Sequence, residues 1–184
     1  MDIVEDFKKT YTSLVAGAGD VVTTTRDVAK ELIVKTLEAG GEVASQSVET
    51  VGKVVSEGVK VASETGVSVS QAATGLVAGV IGGVKEVGGD LGTTATQASH
   101  NVVKSAAGVG ADLGEVAVSA VTGAIKAAGD VGANSGDLAK SAVVGTLKAA
   151  DEVGSDAGSL VRKALLNAAS LPHDVIDALL TGKA

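Results

Sequence analysis

An acidic residue followed by valine returns every 22 residues along this chain: Asp20-Val21, Glu42-Val43, Glu86-Val87, Asp130-Val131 and Glu152-Val153. Weakened copies stand at Glu64-Thr65 and Gly108-Val109, so that seven registers run without a gap from about 20 to 172. Eight residues after each valine position comes Ala29, Val51, Ala73, Ala95, Ala117, Ala139 or Val161. Sixteen after it comes Leu37, Val59, Ile81, Val103, Ile125, Leu147 or Ala169. Every slot is apolar, and a fixed period of this kind marks a structure in which one unit stacks on the next.

The period has a helical meaning. Twenty-two residues make about six turns at 3.67 residues per turn, which is two units of 11. From residue 131 onward the small and apolar positions read Gly132, Gly136, Ala139, Val143, Leu147, Ala150 and Gly154, while Asn134, Asp137, Ser141 and Lys148 fall on the other side. This is an amphipathic stripe at helical spacing. No strand alternation competes with it and Asn-Gly and Asp-Gly hairpin pairs are absent, so the expected fold class is all-α.

Glycine decides between two architectures. The chain has 25 glycines, and some twenty of them inside helix would cost about 15 to 20 kcal/mol relative to alanine. Four pairs, Gly88/Gly92, Gly110/Gly114, Gly132/Gly136 and Gly154/Gly158, stand four residues apart. On one helical face they form a small-xxx-small strip that lets a second helix approach closely. In this reading the chain forms near-continuous long amphipathic helices in a hendecad coiled coil or bundle. Its interface comprises the eight paired glycines with Ala95, Ala117, Ala139, Val103, Ile125 and Leu147. The alternative breaks the chain at each VGx[DN]xG segment into helices of about 17 residues, stacked as a solenoid or bundle. Gly88 and its equivalents then close one helix, and Asp90, Asp112, Asn134 and Asp156 cap the next, with Asp112 and Glu115 spaced as a capping box. The early copies, 21–42 and 43–64, keep the register without glycines at those places, and this favours the continuous helix.

The ends depart from the repeat. Residues 1–19 read as an amphipathic cap helix, with Asp2 and Glu5 in capping-box spacing and Ile3, Phe7, Tyr11 and Leu14 at helical intervals. Residues 20–170 are the repeat region. Residues 171–184 form a short terminal helix, with Ser170 as its N-cap, Pro172 in its first turn, Val175, Ile176, Leu179 and Leu180 on its apolar side, and Gly182 as its stop.

Composition narrows the function. Phe7 and Tyr11 are the only aromatics, and there is no cysteine, so the core is thin and disulfides, thiolate metal sites and cysteine nucleophiles are excluded. His100 and His173 have no metal-ligand spacing to other donors and read as solvated side chains. Adjacent Asp151 and Glu152 point about 100° apart on a helix, which disfavours an acid/base pair. Pieces such as GVGADLG lack the Lys-Ser/Thr of a phosphate loop. The expectation is a protein that is not an enzyme, with no cofactor, metal or small-molecule substrate.

A net charge of −7 without a basic block disfavours nucleic acid. The longest uncharged run, Thr65 to Val84, has the length of a membrane span but contains Gln71, two serines and two threonines, and reads better as packed helix. The start, MDIVEDFKK, lacks the order of a signal peptide, which points to a cytoplasmic location. Lys60, Lys104, Lys126 and Lys148 recur beside the apolar stripe. They suit either plain solvation, with i,i+4 pairs such as Lys148–Glu152 and Glu49–Lys53, or the rim of a lipid-facing surface.

Aromatic-free units such as AVSAVTGAIKAAGDVG resemble two groupings over about 20 to 170. One is the hendecad coiled-coil proteins, which implies long rods or bundles. The other, a looser likeness, is the lipid-surface proteins with 11-residue repeats, synucleins and perilipins, together with the phasins of polyester granules. The resemblance implies a self-assembling structural protein whose partner is itself, or a coat on a membrane, lipid droplet or granule.

Overall fold

The computed structural model describes residues 2–17, 19–40 and 43–181. Among these, the chain forms nine helices and no strand: α1 (Ile3–Val15), α2 (Val21–Gly40), α3 (Val43–Thr65), α4 (Val69–Glu86), α5 (Leu91–Gly108), α6 (Leu113–Val131), α7 (Ser135–Val153), α8 (Ser155–Asn167) and α9 (His173–Thr181). They pack as a helical bundle. Four of them, α4 to α7, are 18 or 19 residues long and begin 22 residues apart, so one period of the sequence is one helix plus one turn.

The turn chemistry recurs in the same register. Gly66, Gly88, Gly110 and Gly132 have φ of +78°, +81°, +72° and +70°, the left-handed conformation that ends a helix and that a side chain resists. The next residue then donates its N–H back to a carbonyl of the finished helix: Val67 to Ala62 at 2.9 Å, Gly89 to Val84 at 2.9 Å, Ala111 to Ala106 at 3.0 Å and Ala133 to Ala128 at 2.9 Å. This is the six-to-one bond of a Schellman cap. The residue after that starts the following helix. Ser68 Oγ accepts from the Gln71 N–H at 3.3 Å, Asp90 Oδ1 from Thr93 at 2.7 Å, Asp112 Oδ1 from Glu115 at 2.9 Å and Asn134 Oδ1 from Asp137 at 3.0 Å. A stop and a start thus occupy three consecutive residues, each satisfying orphan backbone groups.

The reversals set consecutive helices side by side, and every helix also packs on the helix two places further along. The bundle is therefore two layers, α1, α3, α5, α7 and α9 in one and α2, α4, α6 and α8 in the other. Among the described residues the backbone of each helix packs only on helices one or two places away, the neighbour-only pattern of a stacked array; the long side chain of Arg26 on α2 alone is seen to reach further, to Asp130 of α6. The core between the layers is built from Val and Ala, as the composition requires, with Leu76, Ile81, Ile33 and Leu37 among its largest members. Phe7 and Tyr11, stacked at 5.6 Å, close the α1 end and are fully buried.

These observations correct the expectation of near-continuous helix. The VGx[DN]xG segments at 87–92, 109–114 and 131–136 are chain reversals, as the alternative architecture has it. The fourth differs from both readings: α8 begins at Ser155 directly after Gly154, and Asp156 lies in its first turn without capping it. The terminal helix starts at His173, after Pro172, whose carbonyl accepts from the Ile176 N–H at 3.1 Å. Glu42 and Gly182 lie outside the described residues. The uncharged run Thr65 to Val84 is divided by the turn at Gly66, and no described helix is long and apolar enough to cross a membrane.

Candidate functional site

The seam that holds each layer together is made by glycines other than the paired ones. Within a layer, neighbouring helices run parallel, and α3–α5, α4–α6 and α5–α7 meet at one register, with α2–α4 shifted by a turn. A Cβ at Gly123 of α6 would lie 2.5 Å from the Thr74 carbonyl oxygen of α4, and one at Gly145 of α7 would press on the Thr96 carbonyl of α5. The equivalent position of α5 is Asn101, and there the small residue is on the opposite helix, Gly52 of α3, whose Cβ would stand 3.4 Å from Asn101 Nδ2. Each of these three contacts keeps one glycine, on either side. On α4 three glycines a turn apart, Gly75, Gly79 and Gly83, lie on the backbone of α2: Cβ atoms would stand 2.6 Å from the Val22 carbonyl oxygen for Gly75 and 3.0 Å from that of Lys30 for Gly83, and would press on that of Arg26 for Gly79. Absent side chains let backbones approach, which supports dispersion and Cα–H···O contacts.

The paired glycines fall elsewhere. Gly88, Gly110 and Gly132 occupy the left-handed turn position, and added Cβ atoms there or at Gly154 would meet nothing within 4 Å, so none of these four belongs to a helix–helix contact. Gly92 and Gly136 stand in the first turns of α5 and α7 near their own cap side chains, and a Cβ on Gly92 would also lie 3.6 Å from Ser141 Oγ of α7. Gly114 does meet a neighbouring helix, at 2.9 Å from Ala164 of α8, and Gly158 makes room for Asp151 and Arg162. Ala95, Ala117, Ala139 and Val103 are fully buried, while Ile125 and Leu147 are half-buried against the core. Gly123 and Gly145 are visible in the sequence as a glycine recurring at one offset, in SAVTGAIK and SAVVGTLK. Helical spacing alone gave no reason to prefer them to the pairs.

The four lysines do not form one row. Lys60, Lys104 and Lys148 stand on α3, α5 and α7 in one layer, and Lys126 stands on α6 in the other, all exposed. Glu49 and Lys53 pair at 2.8 Å as expected, but Glu152 turns from Lys148 toward another helix.

Carboxylates in the last turns of three helices each meet a cation from an earlier helix of the same layer. Glu86 of α4 pairs with Lys30 of α2 at 2.9 Å, and Asp130 of α6 with Arg26 of α2 at 3.6 Å. Glu152 Oε2 of α7 accepts from His100 Nε2 of α5 at 2.9 Å, with Lys104 Nζ at 3.8 Å. An acid at a helix C-terminus opposes the macrodipole, and the facing cation offsets this. His100 is thus a paired side chain, only 17% exposed, which corrects its reading as solvated. It holds the Glu152 carboxyl below the ordinary range, with smaller help from Lys104 and Lys148. Beside it Arg162 of α8 donates both fork nitrogens to Asp151 at 2.9 Å, lowering that carboxyl too. Glu115 does not close a capping box. It accepts from Ser70 of α4 at 2.8 Å instead.

Over Ala78, Gly82, Lys85 and Glu86 of α4, α2 and α6 wall a trough of about 470 Å³, crossed by the Arg26–Asp130 pair. No group of three or more His, Asp or Glu among the described residues could hold a metal ion. The chain matches no protein-family model, and no curated protein is significantly similar to it.

Proposed function

We propose that this chain is a non-enzymatic structural protein, a stacked helical scaffold that associates with copies of itself at the end of its array. The observation that carries this reading is the apolar surface left open on α8. Among the described residues α8 packs on α6 and on no other helix of its layer, and Leu160 and Leu166 on it stay 48% and 37% exposed, Leu160 at the edge that faces Gly114 of α6. Apolar side chains left open on the outermost described helix of a layer invite further packing, and a second copy offers helices of matching amphipathicity. Such a head-to-tail contact extends into a filament unless its rotation closes a ring.

Analytical ultracentrifugation across a hundredfold concentration range tests the reading. The mass should rise with concentration and stay monomeric in the Leu160→Lys/Leu166→Lys variant. A wild-type monomer throughout refutes self-assembly. Flotation with phosphatidylcholine/phosphatidylserine vesicles examines the other reading, a lipid-surface coat. Against that coat stands a packing argument: the apolar faces of these helices are already covered by the opposite layer, and a chain bound to lipid would have to open them.

A further inference from the structure

Of the three side chains that meet last-turn carboxylates, two are a lysine and an arginine, Lys30 and Arg26, and the third is His100, a histidine, the residue type whose charge changes near neutrality. The α2–α4 stack and the bridge from α2 to α6 are therefore held by permanent ions and the α5–α7 stack by a titratable one. We propose that the His100–Glu152 contact is a proton-operated clamp, which ties α7 and the helices after it to the rest of the array in mild acid and slackens as pH rises through the histidine range.

The surroundings support this. On the same helix Lys104 reaches Glu152 at 3.8 Å, a longer and more exposed contact that persists when the imidazole is neutral. On α7, Lys148 lies near Glu152, and Asp151 is engaged by Arg162 of α8. From α3, α4 and α6, which also pack on α5, no described charged group pairs with His100 or Glu152. The backbone of His100 is itself part of the close contact, since a Cβ on Gly145 would lie 3.1 Å from its amide nitrogen. A loss of attraction at this point therefore acts on the helix pair itself. With His100 charged, its Nε2–H donates to a carboxylate. With it neutral the bond loses its ionic part, and Glu152 faces the negative end of its own helix with Lys104 alone.

Hydrogen exchange resolved by mass spectrometry, corrected for the intrinsic pH dependence of exchange, tests the clamp on the full chain. Between pH 5.5 and 8.5 the opening constant of α7 to α9 should rise about threefold to tenfold, while that of α2 and α4 stays level. His100→Gln should remove the pH step and leave α7 at its high-pH value. His100→Lys should remove the step and leave α7 protected throughout. Glu152→Gln, which retains the histidine, should also be flat. A wild-type chain without the step, or a step that survives in either His100→Gln or Glu152→Gln, overturns the proposal.

Discussion

Glycine-to-alanine exchange should have opposite signs at two positions of the same helix. At Gly123 the new methyl would lie 2.5 Å from the Thr74 carbonyl oxygen and 3.2 Å from Val77 Cβ. A carbon and a carbonyl oxygen in good contact stand about 3.3 to 3.6 Å apart, so α6 and α4 must separate by roughly 0.8 Å or more. A gap of that order forfeits about a quarter to a half of the local dispersion well, and overpacking of this kind costs about 1 to 3 kcal/mol. Against it stands the helix propensity of alanine, about 0.8 to 1 kcal/mol. The net expectation for Gly123→Ala is a loss of up to about 2 kcal/mol, which for a chain of this size lowers the melting temperature by up to about 8 °C. At Gly129, two residues from the end of α6, a Cβ meets nothing within 4 Å, so alanine should raise the melting temperature by about 1 to 4 °C through propensity alone. Thermal melts followed by circular dichroism compare the two. If both variants are stabilised alike, the account of the seam as a backbone contact is wrong.

Gly132→Ala should also destabilise, by about 1 to 2 kcal/mol, although it too meets open space, because φ of +70° is strained for any residue with a Cβ; Gly132→Asn should recover part of the loss in the same melts. Asp90→Ala and Asp112→Ala should each cost about 1 kcal/mol, read as a lower urea midpoint. The Asp90 carboxyl is held below its ordinary range mainly by the Thr93 backbone N–H, so its contribution is complete above the ordinary carboxylate range and lost as pH falls through the lowered value. Asp90→Asn should flatten that acid limb. Burial pushes the phenol of Tyr11 well above its ordinary range, although the Thr25 hydroxyl pulls slightly the other way. Its contribution is complete below the ordinary tyrosine range and lost as pH rises beyond it, toward the raised value. Alkaline unfolding should therefore coincide with tyrosinate absorbance from this sole tyrosine, and Tyr11→Phe should shift unfolding to higher pH.

The sequence showed the helical class, the 22-residue unit and the buried slots at Ala95, Ala117, Ala139 and Val103. It also contained the turn residues, but not a decision between a helix that passes through them and one that stops. The misleading signal was phase. Twenty-two residues are about six whole helical turns, so the apolar positions keep their phase whether or not the helix continues. In the folded chain that period comes from stacking each helix on the one two places back, at the same level in α3–α5, α4–α6 and α5–α7. The early copies lack glycine at the expected break because α2, from Val21, and α3, from Val43, are helical through it. The interhelix pairs were illegible for another reason: His100 and Glu152 are brought together by the α5–α7 stack, and no local spacing encodes it.

The swap of roles between Gly52 opposite Asn101 and Thr74 opposite Gly123 has a consequence for how such a chain can change length. From α3 to α7 both layers use the same meeting level, and either partner can supply the glycine, so a unit of this stretch does not encode the layer to which it belongs. Excising one helix with its turn sends every later helix to the opposite layer yet brings equivalent levels together again, and duplicating one does the same. Slippage during copying of the underlying message could therefore shorten or lengthen the protein in 22-residue steps and still yield folded products, with only the bespoke first and last helices held to their places.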